Sequence, residues 1–102
     1  RVKHADRQAT GEELFTNYIC NTCHSLDGSE MYGPTLKDIY GKEITVIRDG
    51  KEHRVTVNRK YLRRSIQDPD YEKLQGFEER VMPQPQISES DVEILVEYFL
   101  SQ

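Results

Sequence analysis

The chain has little from which to build a core. Of its 102 residues only 35% are hydrophobic, a low share for a domain that must fill its interior with side chains alone. At this length a single domain is expected, so no larger neighbour within these residues makes up the deficit. No hydrophobic run approaches the twenty or so apolar residues of a membrane helix. No secretory leader pattern is present either. Lysine and arginine number 14 against 18 aspartate and glutamate, a net charge of −4, and no basic stripe of the kind nucleic acid demands appears. Internal repeats and low-complexity tracts are also lacking.

Cysteine is scarce too, and its placement is informative. Both cysteines fall in Cys20-Asn21-Thr22-Cys23-His24. Two thiols three residues apart with a histidine directly after the second form the attachment signature of a c-type haem. On a helix, residues i and i+3 share one face about a turn apart. Thiols so placed can form thioethers with the two vinyl groups on one porphyrin edge, and the next residue can carry its imidazole to the iron. Two other uses of Cys-x-x-Cys compete. A structural zinc site needs four ligands; no second cysteine pair exists, and His4 and His53 stand in polar or hairpin contexts. A redox dithiol wants a preceding strand and a βαβ context, and neither is visible. The haem reading also meets the core deficit, since a large apolar disc contributes buried area that side chains do not supply. It predicts a poorly folded apo chain, and its propionates would make the holoprotein more acidic.

Residues 1–9 are polar and read as a linker or frayed end. Thr10 is a fair N-cap, Glu12 and Glu13 suit the positive end of the helix dipole, and Leu14, Phe15, Tyr18 and Ile19 make an apolar face. The spacing predicts a helix that runs into the haem motif and positions the cysteines. Residues 25–34 form a loop broken by Gly28, Gly33 and Pro34, and residues 35–40 a short helical turn stopped at Gly41. Glu43 to Ile47 and His53 to Val57 are β-branched runs around Asp49-Gly50, a type I′ hairpin signal. An isolated two-stranded hairpin is marginal, so it is expected to be an appendage docked on a helical body. A second helix is expected over residues 59–67, with Leu62 and Ile66 inward, Tyr61 beside them and Asp68-Pro69 as the stop. Residues 70–86 read as a long ordered loop of the kind that carries function. The last helix opens at Ser88 with Asp91 three residues on. Its buried face is expected to be Ile94, Leu95, Tyr98 and Phe99, with Val92 and Val96 at the flank.

If His24 is the proximal ligand, the other axial position needs an occupant, and its identity decides the chemistry. Met82 lies in the long loop between Val81 and Pro83, with chain enough to reach the far face and Pro83 and Pro85 to stiffen its approach. Met31, seven residues past His24, His53 and His4 are the weaker candidates, and Met82 as a mere core filler is the bland one. His/Met ligation raises the potential and fills both axial sites, which favours one-electron transfer over oxygen or peroxide chemistry. The carbonyl of Pro34 is well placed to accept a hydrogen bond from the His24 Nδ1; otherwise Gly33-Pro34 is only a turn.

The full pattern resembles a class I cytochrome c domain over residues 10–101. It comprises Gly11-Glu12-Glu13-Leu14-Phe15, the Cys20–His24 motif, Gly33-Pro34, Met82-Pro83 and a helix ending Tyr98-Phe99-Leu100. The resemblance implies a mainly α fold, with three to five helices around one covalent haem c, an inserted β-hairpin at about 43–57, and a domain filling residues 10–102. It also implies that the terminal helices cross closely, with Gly11 against Tyr98 or Phe99. In its middle the chain looks like the haem domain fused to subunit II of caa3-type cytochrome c oxidases. The residues concerned are Gly33 to Gly41, the hairpin, Tyr61 to Pro69, Gly76-Phe77 and Val81-Met82-Pro83. That narrower likeness implies a non-catalytic relay, accepting electrons from a donor redox protein and passing them to the copper centre of its own subunit within the oxidase. It places the domain at the outer, periplasmic face of a bacterial cytoplasmic membrane, with membrane contact only through parent segments outside these residues. The start at Arg1 without an initiator Met fits either a removed export segment or a domain cut from such a parent. A free periplasmic carrier and the haem domain of another redox enzyme, one with an open iron, are the alternatives. Asp27 and Glu30 flank the motif with no lysine between Cys20 and Pro34. A donor met through apolar contact or weak positive charge therefore fits better than one steered by a lysine ring, although both acids could be ordinary solvated side chains.

Overall fold

Thr10 starts the first helix by the mechanism its sequence suggests. In the computed structural model, which describes residues 9–102, the Thr10 Oγ1 accepts from the Glu13 N–H at 3.2 Å and the Glu13 carboxylate accepts from the Thr10 N–H at 2.9 Å. This reciprocal capping box opens α1, Gly11–Asn17. The linker expected over residues 1–9 lies, apart from Ala9, outside the described residues, as does His4. Asn58 caps α2, Arg59–Gln67, through its side-chain oxygen on the Tyr61 N–H at 2.9 Å. Ser88 caps α3, Glu89–Leu100, through its Oγ on the Asp91 N–H at 3.2 Å.

The helices pack through a common apolar cluster. Leu14 and Phe15 of α1, Leu62 and Ile66 of α2, and Val92, Leu95, Val96 and Phe99 of α3 are buried together with Leu36 and Val57. On α3 the buried stripe is thus 92, 95, 96 and 99, the i, i+3, i+4, i+7 set. Val92 and Val96 are fully buried core, not flank, whereas Ile94 and Tyr98 are half-buried. Tyr98 is displaced from the core because it covers α1 at Gly11: a Cβ on Gly11 would stand 2.4 Å from the Tyr98 Cβ. Phe15 meets Phe99 edge-on with ring centroids 5.9 Å apart, the favoured aromatic arrangement. Two ion pairs, Arg59–Glu97 and Arg63–Glu93, tie α2 to α3 at the surface.

The hairpin forms as its turn dictates. β1, Glu43–Arg48, and β2, Lys51–Thr56, pair antiparallel around Asp49-Gly50. Both turn residues have positive φ, +52° and +74°, as a type I′ turn requires. It is not a two-stranded appendage, however. A third strand, β3 (Lys73–Leu74), pairs with the free edge of β1 at Val46 and Ile47, giving a sheet in the order β2-β1-β3. The fold therefore combines three helices with a small antiparallel sheet, and the stretch expected to be all loop contributes a strand. The helical turn expected over residues 35–40 does not form; the chain crosses there in turns with Asp38 at φ +51°.

Candidate functional site

The helix expected to carry the cysteines stops short of them. α1 ends at Asn17, and Ile19 adopts a left-handed conformation, φ +63° and ψ +24°. That is an outlier for a β-branched residue, costing on the order of 1–2 kcal/mol, and it turns the chain sharply. Cys20–Thr22 then form a separate single 3-10 turn. With three residues per turn, positions i and i+3 eclipse, so Cys20 and Cys23 still share one side. The Cys20 carbonyl accepts from the N–H groups of both Cys23 (3.2 Å) and His24 (3.0 Å). Ile19, expected on the buried face of α1, is instead 64% exposed.

His24 is held on its other side. Its Nδ1 lies 2.8 Å from the Pro34 carbonyl oxygen. A carbonyl only accepts, so Nδ1 carries a proton in this contact, and Nε2 is the ring nitrogen left available for a metal. Gly33 makes room for the ring: a Cβ there would stand 2.7 Å from His24 Cε1 and 3.0 Å from the Cys23 carbonyl oxygen. The Gly33 N–H in turn donates to that carbonyl at 2.8 Å. Beneath this loop Ser25, itself buried, donates its one hydroxyl proton to the Ser29 carbonyl at 2.8 Å, and its oxygen also lies 2.8 Å from the Thr35 hydroxyl. Gly33 lies in a bend, and Gly33-Pro34 is the seat of the imidazole.

Cys20, Cys23, His24 and Pro34 all line one cavity of about 480 Å³, and Met82 lines it too. That volume is within the range of cofactor pockets, roughly 300–1,000 Å³. The walls are mostly apolar, drawing Leu62, Ile66, Leu95 and Phe99 from the core and Leu74 from β3. Burial pushes the Cys20 thiol above its ordinary pKa, as an apolar setting should. Ile19 and Val81, each 64% exposed, and Tyr32, 49% exposed, also line the cavity. Exposed apolar groups gathered on a concave surface mark a place where something apolar is covered.

The other ligand candidates are elsewhere. Neither Met31 nor His53 lines the cavity; His53 sits on β2 opposite Val46. Among the described residues no group of three or more His, Cys, Asp or Glu side chains could hold a metal ion together; His4, which a Cys2His2 cage would also need, lies outside them. Sequence reasoning does not place several wall residues in the site: Tyr32 and Arg80 are passed over, Ile19 is given to a helix face and Phe77 only to a motif. Their only signal is proximity to the motif or to Met82, because no periodicity marks irregular chain.

The donor set fits a c-type haem: two thiols one 3-10 turn apart, an imidazole with a free Nε2, a thioether and an apolar hollow. A family model described as Cytochrome c matches residues 8–102, nearly the whole chain. The chain belongs to the cytochrome c family. Among curated proteins none matches it significantly. Membership in the cytochrome c family implies a covalent haem c and haem-based electron transfer, and Cys20 and Cys23 are consistent with the Cys-x-x-Cys-His motif of such domains.

Proposed function

We propose that this cytochrome c domain carries one haem c, tethered by Cys20 and Cys23 and ligated axially by His24 and Met82, and that it works as a one-electron relay. The observation that supports this most is that those four side chains line the same apolar cavity. When bound, the haem supplies a ferric/ferrous couple. The protein's part is to hold and tune it. His24, oriented by Pro34, presents Nε2; the Pro34 carbonyl makes the imidazole more electron-rich. Met82 adds a soft thioether that favours the reduced state. Leu62, Ile66, Leu95 and Phe99 exclude water, which spares the couple solvent reorganisation and also raises the potential. If His24 and Met82 both bind the iron, the chain itself would occupy the positions that oxygen or peroxide needs, which favours one-electron transfer.

The motifs shared with subunit II of caa3-type oxidases support a finer reading. In it, the domain accepts electrons from a donor redox protein and passes them to the copper centre of its parent subunit, at the outer face of the cytoplasmic membrane. A free periplasmic carrier accounts equally well for the family membership. The exposed Ile19, Tyr32 and Val81 at the cavity favour, in either case, a partner met largely through apolar contact.

The test is the matured protein with Met82→Ala beside it. The wild type should show acid-resistant haem and a sulfur-to-iron charge-transfer band when oxidised. The variant should keep its haem, lose the band, bind cyanide and CO readily and show a markedly lower potential. Retention of the band by Met82→Ala would remove Met82 from the ligand set. The gene sequence adjoining Arg1 distinguishes relay from free carrier: copper-ligand cysteines and a hydrophobic anchor there would mark the relay.

A further inference from the structure

The segment that presents Met82 has almost no backbone support of its own. Among the described residues no backbone–backbone hydrogen bond joins residues 81–87 to the rest of the fold; the last before them is Arg80 N–H to the Phe77 carbonyl, at 3.0 Å. The loop is fastened instead by side chains, and two of these contacts converge on one place. The Arg80 Nη1 donates to the carbonyl oxygens of Met31 (3.1 Å) and Tyr32 (2.6 Å). In return the Tyr32 hydroxyl accepts from the Val81 N–H at 3.0 Å, one residue before Met82. The Arg80 guanidinium also lies over the rings of Tyr32, 5.3 Å from its centroid, and Phe77, 5.2 Å. Hydrogen bonds from a charged donor are the stronger kind, and a guanidinium stacked on aromatic faces is doubly restrained.

Tyr32 is the residue before Gly33 and Pro34, the two that seat His24. The loop holding the proximal imidazole and the loop holding the thioether are therefore fastened to each other directly, across 48 or 49 positions of sequence. We propose that Tyr32 and Arg80 form a clasp that governs how readily Met82 leaves the iron, acting as positioning residues for the axial ligand rather than touching it. This rests on the His24/Met82 reading above. The same contact anchors the backbone of Met31, whose own side chain does not line the cavity although its neighbour Tyr32 does. With the clasp closed, Met82 is kept at high local concentration over the metal; with it open, the loop is free to carry Met82 away and an external ligand can enter.

The test uses the oxidised, haem-loaded protein and imidazole as the external ligand. One iron–sulfur bond is exchanged for one iron–nitrogen bond and no electron moves. Three variants are compared with the wild type: Tyr32→Phe, which removes only the hydroxyl; Arg80→Leu, which removes both donors and the charge; and Arg80→Lys, which keeps the charge but cannot stack or fork. Read-outs are the rate of imidazole binding, the pH at which the far-red sulfur–iron band disappears, haem content and the global unfolding midpoint. Loss of one neutral hydrogen bond should speed entry about three- to tenfold in Tyr32→Phe, and loss of the charged pair about tenfold or more in Arg80→Leu. Arg80→Lys should lie between Arg80→Leu and wild type. The band should vanish at lower pH in the same order, with haem content unchanged. Should Arg80→Leu fail to mature, the single-oxygen change in Tyr32→Phe carries the test. Wild-type exchange rates in the variants would overturn the clasp while leaving Met82 as ligand. Faster exchange matched by an equal loss of global stability would also overturn it, assigning both residues to general stability. A wild type without the sulfur–iron band would overturn the ligand reading itself.

Discussion

Gly11→Ala tests the closest helix contact in the fold with a single methyl group. The added Cβ would lie 2.4 Å from the Tyr98 Cβ, 2.7 Å from its Cγ and 2.9 Å from its Cδ1. An ordinary carbon contact is 3.4–4 Å, so about 1 Å of separation must be found. No rotamer change supplies it, because the nearest atom is a Cβ fixed to the α3 backbone; α1 and α3 must move apart. Overpacking of this kind costs about 1–3 kcal/mol, and the rigidity of the obstacle puts this case at the upper end. Parting the helices also loosens the Phe15–Tyr98 and Phe15–Phe99 pairs, each worth about 0.5–1.5 kcal/mol. Against this stands the roughly 0.4–1 kcal/mol that alanine gains over glycine by restricting the unfolded chain. The net expectation is a loss of about 2–3 kcal/mol, which at 4–8 °C per kcal/mol lowers Tm by about 10–20 °C. Thermal unfolding of the haem-loaded protein, followed by circular dichroism, measures it. A double-mutant cycle sharpens the cause. Tyr98→Ala leaves the offending Cβ in place and should not rescue Gly11→Ala, whereas in a Tyr98→Gly background the same substitution should be close to neutral. A Gly11→Ala protein melting within about 3 °C of wild type, or rescued by Tyr98→Ala, refutes the reasoning.

Three further outcomes are expected. Gly33→Ala puts a Cβ 2.7 Å from His24 Cε1 and should displace the ring from Pro34, lowering the yield of covalently loaded protein and, because the imidazole loses the hydrogen bond that makes it electron-rich, raising the reduction potential; an unchanged potential would show that the ring has room to spare. Glu93 is held below the usual carboxylate range chiefly by its hydrogen bond from Arg63, against slight desolvation, so its contribution to stability is present above the unfolded carboxylate pKa and is lost as pH falls through the folded one. Glu93→Gln should therefore lower Tm slightly at neutral pH, with the difference fading as pH falls below the ordinary glutamate range and gone once the folded carboxyl is protonated, and shrinking in roughly 1 M salt; a pH-independent difference would contradict the assignment. The apo chain, deprived of the body that fills a cavity of about 480 Å³, should lack near-UV dichroism and melt without cooperativity, and a sharp apo transition would show that the side chains suffice as a core.

What could be read from the sequence was what is local. Thr10 and Ser88 are capping residues whose partners lie three positions away, and Asp49-Gly50 encodes its turn in two residues. The Cys-x-x-Cys-His motif needs only one turn of chain, whichever helix type supplies it. Ile19 runs the other way: a β-branched residue has no propensity for a left-handed conformation, and nothing in its own identity signals the kink between α1 and the Cys20–Thr22 turn. β3 is two residues long, too short for any periodicity, and exists because β1 offers it a free edge. The position of Val92 and Val96 on α3 was obscured by the larger apolar area of Ile94 and Tyr98; the crossing at Gly11 decides which stripe is buried. Contacts such as Arg80 with Tyr32 join residues 48 positions apart, and neither side carries a pattern that names the other.

The third strand changes what the hairpin is for. Lys73 and Leu74 pair with β1 on one side and form cavity wall on the other, and the Gln75 N–H extends the ladder to the Thr45 carbonyl at 2.9 Å. Arg48 at the far end of β1 reaches back to the largely buried Glu72 carboxylate at 3.2 Å. A load applied at the Asp49-Gly50 tip, by a docking protein or an engineered tether, is thus delivered through a rigid ribbon to the lining of the redox centre. A spectroscopic label grafted at that turn would sit well outside the hollow and still report on its wall.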